Sequence, residues 1–367
     1  MLASILTAVG VLCILSGSLA IMLIVAESFF ANYGECAIDV NAGERIIKVQ
    51  GGNHLLGTLN EQKLYLPSAC GGRGACGVCK CKVLDGAGPV LPTELPYLNQ
   101  EELNSNVRLS CQVKVKQNIK IQVPDELLSV RAFSTTVESI TDLTHDIKGV
   151  CFRLPEGETV SFKAGQYINL EVPPYEDLNS KTARAYSLAS NPVDKTKMEL
   201  IIRLVPEGIC TTYVFEHMKE GQQATLIGPF GDFHLRDSDR EIIFIAGGSG
   251  LAPIRSIVLN MITEGICNRK ATFFFGAVRI RDLYYVDEFK QIEAEHDWFR
   301  FVPALSGDEE GHEYERGLIT DVVARHYDDL SGHEGYLCGS PGMIDACVRV
   351  LTAKGMPEER VYYDKFS

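Results

Sequence analysis

Residues 70–79 read Cys-Gly-Gly-Arg-Gly-Ala-Cys-Gly-Val-Cys, which places three cysteines on one glycine-rich loop. A fourth cysteine follows 32 positions after the last of these three. Thiolates are ligands for iron and zinc, and glycine lets a loop take positive φ angles and bring its backbone N–H groups close to a bound group. The pattern therefore predicts a metal centre with four ligands: Cys70, Cys76, Cys79 and Cys111.

The spacing of these cysteines distinguishes between two kinds of centre. Plant-type ferredoxins hold a [2Fe–2S] cluster with three close cysteines and one distant cysteine, although the first gap here has five residues where that pattern has four. Structural zinc sites, the alternative, usually combine two tight pairs of ligands. The triplet and the single cysteine favour the [2Fe–2S] cluster. Cys81 is predicted not to be a ligand, because on a strand through Cys79–Val83 its side chain would point away from the neighbourhood of Cys79 or pack in the interior.

The N-terminal segment is apolar, and its first 26 residues carry no charged side chain. About 20 apolar residues, rising about 1.5 Å each, span the hydrocarbon core of a bilayer. Residues 1–27 are therefore predicted to form a transmembrane helix that anchors the chain. A cleaved signal peptide is the alternative, since Ser18-Leu19-Ala20 resembles a cleavage site, but the segment lacks a basic region and its apolar run is long for a signal.

The remainder of the chain is long enough for two or three domains. Residues 32–128, with a helix over Leu55–Gln62 and a strand over Val107–Val115, are predicted to form an α+β domain around the cysteines. Residues 129–235 contain regularly spaced alternating segments such as Tyr167–Val172, which predict an antiparallel β-barrel.

The third predicted domain, residues 237–367, alternates buried strands with helices, which is typical of an α/β doubly wound parallel sheet. The segment Ile242–Pro253 reads as a strand, a glycine turn and a helix start, where a pyrophosphate would meet the positive end of the helix dipole. A second strand end with a glycine turn follows at Tyr336–Met343. Since ligands bind along the carboxyl edge of such sheets, the two turns together predict a dinucleotide site.

The second domain carries the alternating segment Arg184-Ala185-Tyr186-Ser187. On a strand, Arg184 and Tyr186 share one face and offer a cation and an aromatic platform to one ligand. Downstream, Gly208 precedes a predicted helix that begins with hydroxyl side chains and unpaired N–H groups, a second place for phosphate. Each of these signals is weak when it stands alone.

Four segments resemble, in order, the flavin and nicotinamide motifs of the ferredoxin–NADP⁺ reductase superfamily: Arg184–Ser187, the turn at Gly208, Gly247–Pro253 and Cys338–Gly339. With the cysteine loop and the apolar N-terminus, the whole chain is similar to the F subunits of the sodium-translocating NADH:quinone reductases. The chain is shorter than expected for that family, around residues 166–182. Ser340-Pro341 stands where the family usually has two prolines.

The resemblance implies three cofactors, namely a [2Fe–2S] cluster in a β-grasp ferredoxin-type domain, FAD in the barrel and NADH in the α/β domain. It implies that Arg184 pairs with the FAD pyrophosphate, Tyr186 packs on the isoalloxazine and Ser187 hydrogen-bonds near N5. The residues implied near the FAD phosphates are Gly208, Cys210 and Thr211. Those implied around NADH are Gly248, Gly250, Pro253, Cys338 and Gly339, with Phe366 as an aromatic ring over the flavin.

The expected function is that of a membrane-anchored NADH dehydrogenase subunit. Hydride would pass from NADH to FAD, and single electrons would then leave through the cluster to other membrane subunits and finally to quinone. The expected location is the bacterial inner membrane, single-pass, with the soluble domains on the cytoplasmic side. A net charge of −13 argues against a nucleic-acid partner. Two alternatives stay open: the NADH-dependent reductase component of a multicomponent oxygenase, and an electron carrier without NADH turnover.

Overall fold

The structure, a computed structural model, describes residues 9–22, 33–176, 178–307 and 311–366. Its internal contacts divide the chain into two compact units. The first comprises the chain as far as Leu66 together with Gly72–Ser129, and the second comprises Pro67–Gly71 together with Val130–Ser367. The two units are described separately below.

The N-terminal helix α1 covers residues 9–22, whose side chains are all exposed. Over the described ranges, no helix combines the length and the apolar character needed to cross a membrane. The predicted anchor at residues 1–27 extends beyond this helix on both sides, and residues 1–8 and 23–27 lie outside the described residues.

A mixed five-stranded sheet in the order β2-β1-β5-β3-β4 forms the centre of the first unit. Its strands are β1 (Glu35–Val40), β2 (Arg45–Gln50), β3 (Lys80–Asp85), β4 (Val107–Leu109) and β5 (Ile119–Gln122). Its helices are α2 (Leu55–Glu61), α3 (Gln100–Asn104) and α4 (Asp125–Leu128), with a 3₁₀ turn at Leu95–Tyr97. Buried alternate residues of the strands pack in one core with the apolar side of α2, which supports the predicted α+β domain.

The predicted strand over Val107–Val115 is wrong in length, because β4 ends at Leu109. The amide groups of Gln112 and Val113 both donate to the carbonyl of Leu109, at 2.8 and 3.2 Å, so the chain turns there. The turn leads the chain out of the sheet at Cys111. The strand pairing therefore ends before Cys111, and the turn sets the position of that cysteine.

In the second unit, a six-stranded antiparallel sheet has the order β10-β7-β6-β11-β8-β9. Its strands are β6 (Arg131–Asp142), β7 (Ile147–Arg153), β8 (Tyr167–Val172), β9 (Thr182–Ser187), β10 (Lys197–Arg203) and β11 (Gln223–Phe230). A single bridge between Leu188 and Leu200 joins the two edges of the sheet. The antiparallel β-barrel predicted for this region is observed as a half-barrel, an antiparallel sheet whose edges meet at that bridge. A short helix α5 (Ile209–Thr212) continues into a π-helical turn at Tyr213–His217.

The rest of the second unit is a parallel sheet in the order β15-β14-β13-β12-β16-β17. Its strands are β12 (Glu241–Gly247), β13 (Ala271–Ala277), β14 (Phe299–Leu305), β15 (Glu315–Arg316), β16 (His333–Gly339) and β17 (Val361–Lys365). The helices are α6 (Leu251–Glu264), α7 (Val286–Glu295), α8 (Ile319–His326) and α9 (Pro341–Ala353), with 3₁₀ turns at Gly248–Gly250, Ile280–Asp282 and Glu358–Arg360. Separate hydrophobic clusters cover the two faces of the sheet, so the predicted doubly wound α/β arrangement is confirmed.

The strand order reverses at β12, which pairs with β13 on one side and with β16 on the other. The loops that leave β12 and β16 therefore diverge to opposite faces from neighbouring strand ends. Such a switch point opens a crevice at the carboxyl edge of the sheet. Both glycine turns singled out in the sequence lie at this place.

Candidate functional site

The cysteine loop owes its course to its glycines. Gly71, Gly72, Gly74 and Gly77 have φ angles of 68°, 86°, 73° and 68°, a region that side-chain-bearing residues rarely adopt. Cys79 is buried, and Cys70 and Cys76 are half-buried. The loop therefore winds tightly between its cysteines. Cys70 lies in Pro67–Gly71, the short segment that groups with the second unit.

Cys79 and Cys111, which lie far apart in the sequence, meet in the fold. Their thiols hydrogen-bond to each other, which raises the pKa of Cys79 and lowers the pKa of Cys111 to about 6. The side-chain amide of Gln112 and the backbone N–H of Gly74 also donate to the Cys111 sulfur and favour its thiolate. The lowered pKa favours the Cys111 thiolate, which is the form that binds a metal cation, and N–H donors lie around its sulfur.

A buried ion pair between Arg108 and Glu94 lies on the strand that leads to Cys111. The guanidinium of Arg108 donates to the Glu94 carboxylate at 2.5, 2.9 and 3.2 Å, and both side chains are almost fully buried. Arg108 also donates to the carbonyls of Gly88 and Pro89, at 2.9 and 3.0 Å. Burial alone would raise the pKa of Glu94, but the hydrogen bonds from Arg108 and from two backbone N–H groups outweigh it and lower that pKa. The pair holds the 88–95 loop on β4, next to Cys111.

The donor set is one that a two-iron cluster uses. Four cysteine thiolates hold a [2Fe–2S] cluster, and each iron takes two of them. The adjacent sulfurs of Cys79 and Cys111 form one such pair. Cys81 is buried in the core on β3, and its burial raises the pKa of its thiol to about 12.

The predicted flavin residues lie on β9 and α5 of the second unit. Arg184, Tyr186 and Ser187 lie on β9, the edge strand that pairs with β8. Tyr186 is half-buried, and its burial and then the nearby Cys210 raise the pKa of its hydroxyl. Cys210 is buried in α5 with its sulfur 3.7 Å from the Thr182 carbonyl, so α5 packs against β9.

The turn before α5 is closed by a hydroxyl. Thr211 Oγ1 accepts from the N–H of Val205 at 3.2 Å and donates towards the carbonyl oxygens of Val205 and Gly208, at 3.2 and 3.1 Å. A Cβ on Gly208 would lie 2.5 Å from Thr211 Oγ1. The glycine and the threonine therefore shape this turn together.

The two predicted dinucleotide turns touch each other. A Cβ on Gly250 would lie 2.2 Å from the carbonyl oxygen of Cys338 and 2.9 Å from the amide nitrogen of Gly339. Gly248 has a φ of 55°, and the Tyr284 hydroxyl donates to its carbonyl at 2.7 Å. Pro253 is buried in the first turn of α6. The glycines thus allow close packing at the switch point, between the two turns that the sequence assigns to a dinucleotide site.

One carboxylate at this place was not among the predicted site residues. Asp364 lies on β17 in register with Cys338, and it hydrogen-bonds to the Ser187 hydroxyl. Burial raises the pKa of Asp364 to about 6, and the Ser187 hydrogen bond opposes this shift. Burial and then the charge of Asp364 raise the pKa of the Cys338 thiol, which is therefore neutral. Asp364 thus links one predicted flavin residue with one predicted nicotinamide residue.

The run Val361-Tyr362-Tyr363, of β-branched and aromatic residues, is the sequence signal that indicates this strand. Its position beside β16, and hence the location of Asp364, follows from the tertiary pairing. Phe366 comes next, and its amide donates to the Gly339 carbonyl at 3.0 Å. Its half-buried ring packs against the core of the parallel sheet. The C-terminal residues are thereby brought to the same edge as the two glycine turns.

Arg255 joins the antiparallel sheet to the parallel sheet within the second unit. It donates to the Ala189 carbonyl at 3.0 Å, to Glu199 of β10 at 2.9 Å and to Glu288 of α7 at 3.0 Å. A largely buried cation between two carboxylates is a directional contact. It holds α6, and with it the Gly247–Pro253 turn, against the sheet that carries Arg184–Ser187.

Three family descriptions match successive parts of the chain. The 2Fe-2S iron-sulfur cluster binding domain matches residues 38–116, the oxidoreductase FAD-binding domain matches residues 134–235, and the oxidoreductase NAD-binding domain matches residues 244–349. These matches support the three cofactors that the sequence predicts: a [2Fe–2S] cluster, FAD and NAD.

Curated relatives match along nearly the whole chain. The F subunit of the Na(+)-translocating NADH-quinone reductase of Methylococcus capsulatus is 35% identical over 393 aligned positions, which cover 95% of this chain and 96% of that protein. The protein of the same name from Pseudomonas aeruginosa is 34% identical over 401 positions, with 98% of each chain covered. Both alignments are longer than the 367 residues of this chain, so both relatives contain insertions relative to it.

Two solved structures share the fold of most of the chain. The cytochrome P450 reductase GcoB of Amycolatopsis has a TM-score of 0.73 and 31% identity, over 90% of this chain and 98% of that one. The ferredoxin reductase in carbazole 1,9a-dioxygenase has a TM-score of 0.69 and 27% identity, over 91% of this chain and 98% of that one.

Proposed function

Because the chain belongs to the family formed by the F subunits of Na(+)-translocating NADH-quinone reductases, we propose that it is the electron-input subunit of such a complex. It is an NADH dehydrogenase that carries FAD and a [2Fe–2S] cluster. When bound, NADH and FAD supply hydride exchange, and the cluster supplies one-electron transfer. The protein's own residues bind, orient and shield these groups. The observation that carries the proposal is the match along nearly the whole chain to relatives of that name.

The flavin site is assigned to β9 and to the turn before α5. The guanidinium of Arg184 is suited to a pyrophosphate, because its fork of N–H groups matches phosphate oxygens. Tyr186 offers a half-buried ring for stacking. The backbone N–H groups of Cys210 and Thr211, in the turn that follows Gly208, are assigned to the phosphates.

The NADH site is assigned to the carboxyl edge of the parallel sheet. Gly248 and Gly250 let the pyrophosphate approach the backbone, and Pro253, in the first turn of α6, has no N–H that would need a partner there. Cys338 and Gly339 lie at the neighbouring strand end, where the nicotinamide would meet the flavin. Phe366, tethered to Gly339, covers this place and excludes water from it.

Asp364 and Ser187 are assigned the control of a proton at the site. The Asp364 carboxylate accepts a hydrogen bond from the Ser187 hydroxyl and so fixes the direction in which that hydroxyl donates. With its pKa raised to about 6, Asp364 is largely ionised at neutral pH and becomes protonated under mildly acidic conditions. A fixed negative charge in this position favours the cationic form of the nicotinamide ring.

The four cysteines Cys70, Cys76, Cys79 and Cys111 are assigned as the ligands of the cluster. Electrons would leave through this cluster to other membrane subunits of the complex, and quinone would be the final acceptor. The domains are assigned as residues 32–128 for the cluster, 129–235 for FAD and 237–367 for NADH, after an anchor at residues 1–27.

The anchor is supported by the described part of the N-terminal segment. Residues 9–22 are helical, and side chains such as Leu12 and Ile14 are 70% and 72% exposed. The hydroxyls of Ser16 and Ser18 donate to helix carbonyls at 2.8 and 2.9 Å, which satisfies them without water. We assign a single span in the bacterial inner membrane with the other domains on the cytoplasmic side. Recovery of the full chain in the supernatant after carbonate washing of membranes would contradict this assignment.

The activity is tested with full-length protein reconstituted with FAD. It should oxidise NADH with ferricyanide as acceptor, and absence of NADH oxidation by FAD-loaded protein would contradict the enzymatic function. Chemical analysis of the same sample should find iron and acid-labile sulfide in equal amounts, as a [2Fe–2S] cluster requires.

A second candidate function is the reductase component of an oxygenase. It is favoured by the similarity in fold to the reductases of a cytochrome P450 and of carbazole dioxygenase. Affinity purification from detergent-solubilised membranes separates the two. Recovery with hydrophobic quinone-reductase subunits supports the first function, and recovery with an oxygenase supports the second.

A further inference from the structure

The side chain of Gln112 lies beside a sulfur that the proposed function makes a cluster ligand. Its amide nitrogen is 3.6 Å from Cys111 Sγ and 3.4 Å from the Cys111 carbonyl oxygen. The NH₂ group has two hydrogens, so it serves both acceptors. Gln112 is half-buried.

Two neighbours fix the orientation of this amide. The hydroxyl of Thr93 donates to Gln112 Oε1 at 2.9 Å, and the Cys111 carbonyl oxygen, which can only accept, identifies the other end of the amide as the NH₂ group. On the other side, a Cβ on Gly74 would lie 2.5 Å from Gln112 Nε2, so the cysteine loop leaves room for the amide only because residue 74 is glycine. Contacts at both ends of the side-chain amide therefore hold its NH₂ group towards the sulfur.

The loop that carries Thr93 is itself fixed from the core. The next residue, Glu94, is fully buried, and its carboxylate binds Arg108 and accepts from the N–H groups of Leu91 and Leu109 at 3.0 and 2.9 Å. The chain thus carries a continuous series of contacts from a buried ion pair through Thr93 to Gln112 and the Cys111 sulfur.

An N–H donor to a cluster sulfur stabilises the more negatively charged reduced state over the oxidised state, and hydrogen bonds to the sulfurs are among the factors that set cluster potentials. We propose that Gln112, oriented by Thr93, raises the reduction potential of the cluster by donating its amide N–H to the sulfur of Cys111. Gln112 is thus a tuning residue and Thr93 its positioning residue. This inference rests on the proposed function, since it requires the [2Fe–2S] cluster.

The test is a redox titration of detergent-solubilised, full-length holoprotein, followed by the EPR signal of the reduced cluster. At the wild-type midpoint potential, Gln112→Leu should lower the ratio of reduced to oxidised cluster about tenfold, which corresponds to about 59 mV for one electron. Thr93→Val should lower the ratio by a smaller factor. Thr93→Ser, which keeps the hydroxyl, should leave the ratio at the wild-type value. Gln122→Leu makes the same chemical change at an exposed position of β5 and should leave the ratio unchanged.

An unchanged ratio in Gln112→Leu, with its full content of iron and sulfide, would overturn the inference. If that variant loses its cluster, Thr93→Val changes an exposed side chain instead, and an unchanged ratio there would overturn the inference equally. A wild-type protein without iron, sulfide or an EPR signal would contradict the proposed function itself, so the two failures are distinguishable.

Discussion

The backbone at Gly250 lies so close to the carbonyl oxygen of Cys338 that a Cβ atom at this position would stand 2.2 Å from it. The first residue belongs to the turn after β12 and the second to the neighbouring strand β16. Their contact joins the proposed pyrophosphate turn to the proposed nicotinamide position.

Replacing this glycine tests the contact directly. Gly250→Ala should force the two turns apart, because the clash is with backbone atoms that cannot rotate away. We expect a loss of about 1–3 kcal/mol in the free energy of unfolding, as for overpacking of a core, and a raised KM for NADH. Thermal unfolding and steady-state kinetics measure the two effects.

The matched control is Gly332→Ala, where an added Cβ meets no atom within 4 Å. Both stability and KM should stay at the wild-type values there. A Gly250→Ala protein with wild-type KM and stability would show that the two turns are not in contact.

Asp364 predicts a pH dependence of NADH oxidation. Its raised pKa of about 6 means that the carboxylate forms as the pH rises through this value. Since the charged form favours a cationic nicotinamide ring, kcat/KM for NADH should increase from pH 5 to pH 7 with a midpoint near 6. Asp364→Asn should abolish this step and lower the rate at neutral pH about tenfold, or about 1.4 kcal/mol in activation free energy. Persistence of the same midpoint in the variant would exclude Asp364 as its source.

Asp364 also affects stability with a definite sign. A carboxyl whose pKa is higher in the folded protein than in the unfolded chain binds its proton more tightly when folded. The folded state is therefore favoured at acidic pH and loses this contribution as the pH rises through about 6. In chemical unfolding experiments, Asp364→Asn should gain stability relative to the wild type as the pH is raised from 5 to 7.

The buried pair Glu94–Arg108 predicts a large cost for breaking it. Glu94→Gln leaves Arg108 buried without its counter-charge, which we expect to cost about 3–5 kcal/mol at pH 7. Because the pKa of Glu94 is lowered in the fold, its contribution is present above the unfolded-state pKa and is lost as the pH falls through the folded value. The difference between variant and wild type should therefore shrink in strong acid.

Glu35→Gln is the control, since its partner Lys48 and Glu35 itself are 75% and 68% exposed. It should change the stability by less than about 1 kcal/mol. Urea unfolding followed by the visible absorbance of the cluster measures both variants. Equal effects of the two substitutions would refute the role of the buried pair.

The assignment of the cluster ligands predicts different outcomes for two buried cysteines. Cys111→Ala should abolish the EPR signal of the reduced cluster, because it removes one of the four ligands. Cys81→Ala should retain the signal with the wild-type line shape, at a cost in stability from the lost packing. Loss of the signal in Cys81→Ala, in protein that unfolds cooperatively, would contradict the ligand set.

Individual segments show how far sequence patterns reach in this protein. Alternation over Tyr167–Val172 predicted a strand with those bounds, and the alternation of strands and helices after residue 237 predicted the parallel sheet. The segment Val107–Val115 has the same character, yet its strand ends at Leu109. The cysteine spacing predicts that Cys111 and Cys79 meet, but the alternation does not show that the strand must end for this, because the contact joins residues 32 positions apart.

The spacing of cysteines and glycines and the periodicity of apolar residues are local properties, so they can be read without a structure. They predict the cluster and a dinucleotide site, whereas FAD and NADH were implied by the resemblance of the motifs to a known superfamily. Two sets of contacts become visible only in the fold: Asp364 with Ser187 and Cys338, and Gln112 with Thr93 and Cys111. These contacts depend on strand order and on the course of loops between distant segments, and such pairings are set by packing across the whole fold.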